Sequence, residues 1–502
     1  MEVLSNVALG FGVVLTATNL LYCFIGCMVG TLIGVLPGIG PVATIAMLLP
    51  LTFKLPPESA LIMLAGIYYG AQYGGSTTSI LVNLPGEASS VVTALDGYKM
   101  AQNGQAGLAL SVSALGSFFA GTVGTILIVL FAPALTEMAQ KFGPAEYCAL
   151  MSLGLVAAVV LASGSVIKAI AMVFLGLLIG LVGTDVNTGA QRFTFNIPEL
   201  SDGIDFAPIA MGLFGIAEII GNLEQRATGH SVTAAKISNL WPTWADFKTF
   251  WKPVLRGTAL GSILGVLPGG GPTLGAFSAY TLEKKLSKTP ERFGKGAIEG
   301  VAAPEAANNA AAQTSFIPML TLGIPSNAVM ALMVGAMIIQ GIQPGPEVMT
   351  KKPDLFWGMI ASMWVGNLML VIINLPLIGM WVKLLTVPYR YLFPAILVFC
   401  CIGAYSLQNS DFHVQQVAVF GVLGYIFLKL GCEGAPFLLG LVLGPQMEEY
   451  FRRAMLLSRG DATVFFTRPL SASLFAVTAL LLILMALPNL RKKREEAFQE
   501  EG

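Results

Sequence analysis

Charge is what this sequence has least of. Its 502 residues include 28 Lys or Arg and 28 Asp or Glu, so charged residues make up 11%, against about 25% in an average soluble domain. Apolar residues reach 55%, and the mean hydropathy is +0.75. So few charges cannot cover the surface of a soluble fold of this length. The composition excludes an ordinary soluble enzyme and a disordered protein, and the balance of signs gives no support to nucleic acid binding.

Motifs for catalysis or metal binding are equally scarce. The two histidines, His230 and His413, are far apart, and the sequence has no HExxH, Walker A or Ser/His/Asp signature. The six cysteines lie in or beside apolar segments without metal-ligand spacing. We therefore expect no enzymatic activity, no cofactor and no certain metal site.

Long uncharged segments are what the sequence has instead. Residues 3–53 contain no charge, and eight more uncharged segments follow at 59–86, 106–136, 147–167, 257–282, 306–346, 355–382, 391–410 and 469–490. Because one spanning helix needs about 20 apolar residues, these segments predict roughly 10 to 12 transmembrane helices. The expected fold class is an all-α, polytopic integral membrane protein.

The sequence repeats one element. Residues 34–41 read GVLPGIGP and residues 265–272 read GVLPGGGP. Four glycines at i, i+4 spacing accompany each copy, and we call these two sets the glycine combs: Gly26, Gly30, Gly34 and Gly38 in the first, and Gly257, Gly261, Gly265 and Gly269 in the second. Such spacing lines one helix face with small residues, so that a second backbone can approach closely.

A looser repeated pair follows the combs, at residues 74–90 and 312–329. Each copy has a Ser/Thr cluster, an apolar stretch and then a proline among small polar residues. The predicted domains are a first membrane repeat at 1–221, an amphipathic linker at 222–256, a second membrane repeat at 257–490 and a charged tail at 491–502. Trp244 and Trp251 alternate with Lys248 and Lys252 in the linker, a pattern typical of an interfacial helix.

The two repeats differ in the basic residues that follow each comb. The first connection contains one base, Lys54, whereas the second contains Lys284, Lys285, Lys288, Arg292 and Lys295. Because short basic loops stay in the cytoplasm, equivalent loops with unequal basic content indicate opposite sides of the membrane. The sequence therefore predicts two repeats of inverted topology with broken or re-entrant helices.

The Pro-Gly elements predict where a ligand binds. Proline and glycine stop a helix and leave backbone groups unpaired inside the membrane, which is costly unless those groups line a cavity or meet a ligand. Breaks at matching positions of two repeats indicate a transporter binding site, and the alternative is a simple kink. The predicted substrate-binding residues are Pro37, Gly38, Gly40, Ser76, Thr77, Thr78, Asn83, Pro268, Gly269, Gly271, Asn308, Asn309, Thr314, Ser326 and Asn327.

Acidic residues within apolar segments predict the coupling site. Glu87 and Glu305 each adjoin a polar cluster. The other embedded acids are Asp96, Asp185, Glu218, Glu299, Glu433, Glu448 and Glu449. We expect Pro304 to open a helix, with Glu305 in its first turn. Hydroxyl and amide oxygens also suit sodium, which we place near Thr78, Asn83, Thr314 and Thr321, although hydrogen-bonded helix packing explains any single one of these residues equally well.

Three segments resemble the large membrane subunit of the tripartite tricarboxylate transporters, the TctA type. They are GTLIGVLPGIGP at 30–41, YGGSTTSILVNLPGEASSVVTALDGY at 73–98, and PEAANNAAAQTSF at 304–316 followed by LGIPSNA at 322–328. The resemblance implies cation-coupled uptake of a small carboxylate, with Na⁺ or H⁺, across the bacterial inner membrane. It also implies two partners, a small four-helix membrane subunit and a periplasmic substrate-binding protein. The alternatives are a TRAP-type large subunit, a channel or an intramembrane enzyme, and the last lacks a catalytic constellation.

Membrane energetics add one constraint to that resemblance. Each negative charge moved inward against about 100 mV costs roughly 2.3 kcal/mol, so a trivalent anion costs roughly 7 kcal/mol. Uptake of such an anion therefore requires coupled cations.

The inverted repeat is tested by the accessibility of the two equivalent loops. A single cysteine introduced near Lys288 should react with an impermeant maleimide only from the cytoplasmic side, and one near Pro56 only from the periplasmic side. Labelling of both positions from the same side would contradict the inversion.

Overall fold

The protein is almost entirely helical. The computed structural model describes residues 2–36, 40–162, 165–185, 188–226, 240–267, 271–384 and 389–486, and the statements below concern these residues. The expected all-α class is correct except for one two-residue antiparallel hairpin, in which β1 (Gly183–Thr184) pairs with β2 (Gln191–Arg192).

The described residues form 23 α-helices. Those before residue 227 are α1 Glu2–Val14, α2 Ala17–Val35, α3 Pro41–Thr52, α4 Pro57–Val82, α5 Val91–Gln102, α6 Ala106–Ala139, α7 Pro144–Leu161, α8 Val166–Gly180, α9 Phe206–Ala210 and α10 Ala217–Arg226. Those after residue 240 are α11 Trp244–Val266, α12 Gly271–Leu286, α13 Glu299–Thr314, α14 Phe316–Leu322, α15 Ala328–Ile339, α16 Pro346–Lys351, α17 Pro353–Asn374, α18 Ile378–Leu384, α19 Tyr389–Gln408, α20 Asp411–Lys429, α21 Gly434–Leu457, α22 Val464–Thr467 and α23 Pro469–Ala486.

Shorter helical turns complete the described backbone. Single 3₁₀ turns lie at Ala88–Ser90, Pro198–Leu200 and Pro290–Arg292, and a π-helical segment, Met211–Ile216, joins α9 to α10.

Several helices are long and apolar enough to cross a membrane. Within the described residues, four meet this length and composition, namely α2, α6, α17 and α20. Shorter apolar helices accompany them, and large apolar side chains such as Leu130 and Phe131 of α6 are exposed. An apolar exterior of this kind is typical of an integral membrane protein. The expected total of roughly 10 to 12 spans stays a prediction.

The first glycine comb packs directly onto a second backbone. A Cβ on Gly26, Gly30 or Gly34 of α2 would overlap the carbonyl oxygens of α4. The facing helix α4 contributes glycines to the same contact. A Cβ on Gly70 or Gly74 would meet the backbone of α2. The two helices therefore approach at backbone contact, the geometry predicted from glycine spacing.

The second comb makes the same kind of contact. A Cβ on Gly257, Gly261 or Gly265 of α11 would overlap the carbonyl oxygens of Ala303, Ala307 and Ala311, respectively, in α13. In both halves the comb helix ends just before the Pro-Gly element, at Val35 and at Val266, and a new helix begins just after it. The elements themselves, 37–39 and 268–270, lie outside the described residues.

The two helices that face the combs are the most buried. Nearly every side chain of α4 and α13 is inaccessible, yet both helices contain polar residues, among them Gln72, Ser76, Glu305 and Asn308. Helix α13 packs against α4, α5, α6, α11 and α12. Polar side chains at the centre of the bundle must find partners there, and this positions the site described below.

Helix α13 begins earlier than expected. It starts at Glu299, and Pro304 lies inside it rather than opening it, so that part of the prediction is wrong. The carboxylate of Asp96 accepts hydrogen bonds from the N–H groups of Gly296 and Ala297, both at 2.7 Å. These bonds hold the chain just before Glu299, and the helix can begin there.

The predicted linker enters a continuous helix. Helix α11 runs from Trp244 to Val266 and crosses the predicted boundary between 256 and 257, with Trp241 and Trp244 exposed. Residues 227–239 of the linker and the tail at 491–502 lie outside the described residues.

Backbone contact at the combs predicts that no residue larger than glycine fits at these positions without a loss of stability. Gly261→Ala should destabilise the protein by about 1–3 kcal/mol, because the added methyl group overlaps the Ala307 carbonyl oxygen and separates α11 from α13. The measurement is the thermal unfolding midpoint of the purified protein in detergent.

The matched control is Gly12→Ala in α1, where a Cβ meets nothing within 4 Å. Because alanine favours helix over glycine by about 0.5–1 kcal/mol, this variant should be as stable as the wild type or more so. Equal midpoints for the two variants would contradict backbone contact at the comb.

Candidate functional site

A cavity of about 570 Å³ lies where the broken helices meet. It is bounded by the first residues of three helices, by a loop after α4, and by a wall from the π-helical segment, α10 and α20. The residues that line it are Gly40, Pro41, Val42, Tyr68, Gln72, Pro85, Gly86, Glu87, Ala88, Val91, Leu213, Phe214, Glu218, Pro272, Thr273, Asn327, Ala328, Val329 and Leu428.

Three helices begin at this cavity. Gly40 precedes α3, Gly271 begins α12, and the Asn327 side chain caps α15 by accepting a hydrogen bond from the Met330 N–H at 2.9 Å. Gly271 has a positive φ of 50°, a conformation that suits glycine, and it lies against Asn327. Since a helix start presents unpaired N–H groups and partial positive charge, the convergence favours an anionic group in the cavity.

The loop that contains Glu87 is held against the first comb. A Cβ on Gly86 would overlap the carbonyl oxygen of Gly34, and one on Gly75 would meet the Cγ of Glu87. These close contacts place the Glu87 carboxylate at the cavity, where it accepts hydrogen bonds from Ser89 and from the Asn308 amide, the latter at 3.1 Å.

Glu305 lies in a cage of hydroxyl groups. Its side chain is fully inaccessible. Ser76 of α4 donates to it at 2.7 Å and Ser113 of α6 at 2.9 Å, and Thr93 of α5 donates to its other oxygen. The carboxylate thus joins four helices, and none of the described Lys, Arg or His side chains forms an ion pair with it.

Two amides of α13 connect Glu305 with Glu87. Asn308 is one turn from Glu305 and donates to Glu87, and its own carbonyl oxygen, fully buried, has no hydrogen-bond partner. Asn309 donates to the Ser117 hydroxyl at 2.7 Å and to the Glu305 carbonyl at 3.1 Å. Glu305 and both predicted amides therefore lie on one helix, and Asn308 joins that helix to Glu87 in one polar network.

This network contains two carboxylates without basic partners among the described residues. Burying an ionised carboxylate costs several kcal/mol unless a counter-charge or proton compensates it. The hydroxyl donors reduce this cost, but they supply no net charge. The geometry therefore suits a site that binds cations or protons. Within the described chain, no cluster of three or more His, Cys, Asp or Glu side chains could hold a metal ion.

Other predicted residues lie outside the cavity and the cage. Thr77, Thr78, Thr314 and Thr321 donate to carbonyls of their own helices, and Thr78 also lies 3.3 Å from the Gly34 carbonyl of α2, to which it donates. Among the described residues no hydrogen bond joins these hydroxyls to one another. Asn83 is exposed and ends α4 in a left-handed conformation, with a φ of 57°. Ser326 donates to the Ser315 carbonyl at 3.3 Å. Pro37, Gly38, Pro268 and Gly269 lie outside the described residues.

Sequence reasoning missed several residues of the site. Thr93 and Ser113 reach Glu305 from helices that contain no repeated motif, and Gln72 and Tyr68 line the cavity from α4. Glu218 was one of nine embedded acids in the sequence and was not assigned to a site. It lies in the cavity wall and accepts a hydrogen bond from the Gly40 N–H at 3.2 Å.

Comparison with known proteins finds one family and two relatives. The family described as tripartite tricarboxylate transporter TctA matches residues 20–439. A protein of Agrobacterium vitis described as "Uncharacterized 52.8 kDa protein in TAR-I ttuC' 3'region" is 60% identical over 501 residues, which are 100% of both chains. A second, "Uncharacterized protein in TAR-II ttuC' 3'region", is 63% identical over 241 residues, which are 48% of this chain and 100% of the relative. No solved structure matches.

The hydrogen bond from Ser113 of α6 to Glu305 predicts an effect on stability. Ser113→Ala should destabilise the protein by about 1–3 kcal/mol, because it removes a hydrogen bond to a buried carboxylate. The measurement is again the unfolding midpoint in detergent.

Ser111, two residues away on the same helix, is the matched control. Its buried hydroxyl has no hydrogen-bond partner, so Ser111→Ala should leave stability unchanged or raise it. If Ser113→Ala were as stable as Ser111→Ala, the bond to Glu305 would contribute nothing to the fold.

Proposed function

The chain belongs to the tripartite tricarboxylate transporter TctA family, and we propose that it is the large permease subunit of a system that imports a carboxylate together with coupling cations. Family membership makes it a membrane transporter for tricarboxylates rather than an enzyme. The substrate is a tricarboxylate or a related carboxylate, delivered by a periplasmic binding protein. A small four-helix membrane subunit completes the system in the bacterial inner membrane.

The observation that supports cation coupling is the charge of the cavity. Its lining includes two carboxylates, Glu87 and Glu218, and among the described lining residues there is no Lys, Arg or His. A polyvalent anion would be repelled from this cavity unless cations or protons arrived with it. The membrane potential acts in the same direction, because it opposes entry of each negative charge.

We assign the two cation positions to the acids of the network. Glu305 offers a carboxylate surrounded by Ser76, Thr93 and Ser113. Glu87 offers a carboxylate beside the unpartnered carbonyl oxygen of Asn308. Carboxylate, hydroxyl and carbonyl oxygens are ligands for hard cations, and a buried carboxylate also accepts a proton. These positions suit either Na⁺ or H⁺.

We assign the substrate to the three helix starts. The first residues of α3, α12 and α15 line one cavity, and the Nδ2 group of Asn327 has no hydrogen-bond partner among the described residues. A ligand with more than one carboxylate can bridge such separated donors. The two comb pairs, α2 with α4 and α11 with α13, support an inverted repeat around this cavity.

Reconstituted transport tests the proposal. Proteoliposomes that contain this chain and its small membrane partner should accumulate labelled citrate only when the periplasmic binding protein and an inward cation gradient are both present. Equal uptake without the binding protein would contradict the tripartite mechanism. Uptake that does not depend on the cation gradient would favour a channel.

In the same proteoliposomes, Glu305→Gln should lower the uptake rate at least tenfold, or about 1.4 kcal/mol, because it removes the charge that holds the cation. The matched control is Glu224→Gln. Glu224 is exposed, and the Lys429 ammonium bonded to it holds the pKa of this carboxyl below its usual range. Wild-type uptake and unchanged cation dependence in Glu305→Gln would move the coupling site elsewhere.

A further inference from the structure

We propose that Glu218 is an internal substitute for a substrate carboxylate: it occupies the start of α3 in the empty transporter and must leave when the substrate binds. This inference rests on the proposed function. It makes Glu218 a positioning residue that sets the affinity for the substrate and links substrate binding to movement of α10.

The contact itself supports this role. The Gly40 N–H, immediately before α3, donates to Oε1 of Glu218 at 3.2 Å, and both residues line the cavity. Gly40 and Glu218 are 178 residues apart in the chain, so this is a tertiary contact and not a local helix cap. The donor at this helix start is therefore occupied by a carboxylate that the protein supplies.

Few interactions hold the Glu218 side chain in place. The bond from Gly40 is the single hydrogen bond that Glu218 forms among the described residues, and no described basic side chain pairs with it. Leu213, Phe214 and Leu428 are its apolar companions in the same wall. A carboxylate so placed has one favourable interaction, which a substrate carboxylate could take over.

Negative charge in the cavity favours the release of Glu218 from the Gly40 N–H. Glu87, from the loop after α4, lines the same cavity, and so does Tyr68. A substrate that brings further carboxylates into the same space adds like charge to like charge. Substrate and Glu218 therefore compete for the Gly40 N–H.

The π-helical segment before Glu218 packs against both α3 and α20. Its contact with α3 is made through side chains, since a Cβ on Gly215 would meet Met47 and Phe214 packs with Ala43. The π-helical segment and α10 pack against α20 at backbone contact: a Cβ on Gly212 would meet the backbone of Val417 and Gly421, and one on Gly424 the backbone of Leu213. Since π-helical segments break the regular hydrogen-bond pattern, the segment before α10 is suited to adjustment. Release of Glu218 would remove the hydrogen bond between α10 and the start of α3 on one side of the cavity.

Binding of citrate to the full chain in lipid nanodiscs tests the inference. In saturating NaCl, Glu218→Ala should bind citrate about tenfold more tightly than the wild type by calorimetry, because the competing carboxylate is gone. Glu218→Gln should lie between them, since an amide oxygen still accepts from Gly40 but carries no charge. Glu224→Ala on the same helix is the control and should bind citrate as the wild type does.

Hydrogen exchange provides a second measurement. Citrate should increase amide exchange in 211–226 of the wild type, whereas Glu218→Ala should show that faster exchange before citrate is added. Equal or weaker citrate binding by Glu218→Ala would refute the inference while leaving the proposed function intact. If neither citrate nor any other small carboxylate bound to the wild type or to any variant, the proposed function would be refuted, and the inference with it.

Discussion

The rest of the structure depends on backbone contact at the two glycine combs. Because α2 touches α4, and α11 touches α13, without intervening side chains, the facing helices are drawn to the centre of the bundle. In a bilayer the hydrophobic effect gives no driving force for helix association, so close packing of small residues must supply it. Each comb helix ends just before its Pro-Gly element, and the helices that start afterwards share one cavity.

The central position of α13 explains why its sequence is polar. A helix buried on all sides would ordinarily be apolar, yet α13 contains Glu305, Asn308, Asn309 and Gln313 within a wall of alanines. The alanines permit close approach of α11, and the polar side chains meet hydroxyls from α4, α5 and α6 or remain with unpartnered atoms. Burial of these polar side chains reduces the stability of the bundle, and the same side chains are the ones that we propose to hold a cation.

The cavity combines two opposed electrostatic features, and these are the basis of the coupling that we propose. Three helix starts attract an anion, whereas Glu87 and Glu218 repel it. An empty site of this kind favours cations first, and a neutralised one then favours the anion. Glu218 differs from Glu87 and Glu305 because it lies on α10, which packs against α20, and because it accepts a hydrogen bond from the residue before α3.

The sequence by itself determined the membrane class, the comb helices, the positions of the helix breaks and the family. These are local properties: apolar run length, glycine spacing and the Pro-Gly elements act within one or two helical turns. Glu87, Glu305 and Asn308 were also predicted, because polar groups inside apolar segments are rare. Only the tertiary structure decided that Thr93 and Ser113 surround Glu305 and that Glu218 reaches Gly40. Hydroxyls on α5 and α6 look like ordinary helix packing in sequence, and a contact across 178 residues leaves no periodic signal. Helix packing, and not local spacing, brings these partners within hydrogen-bonding distance.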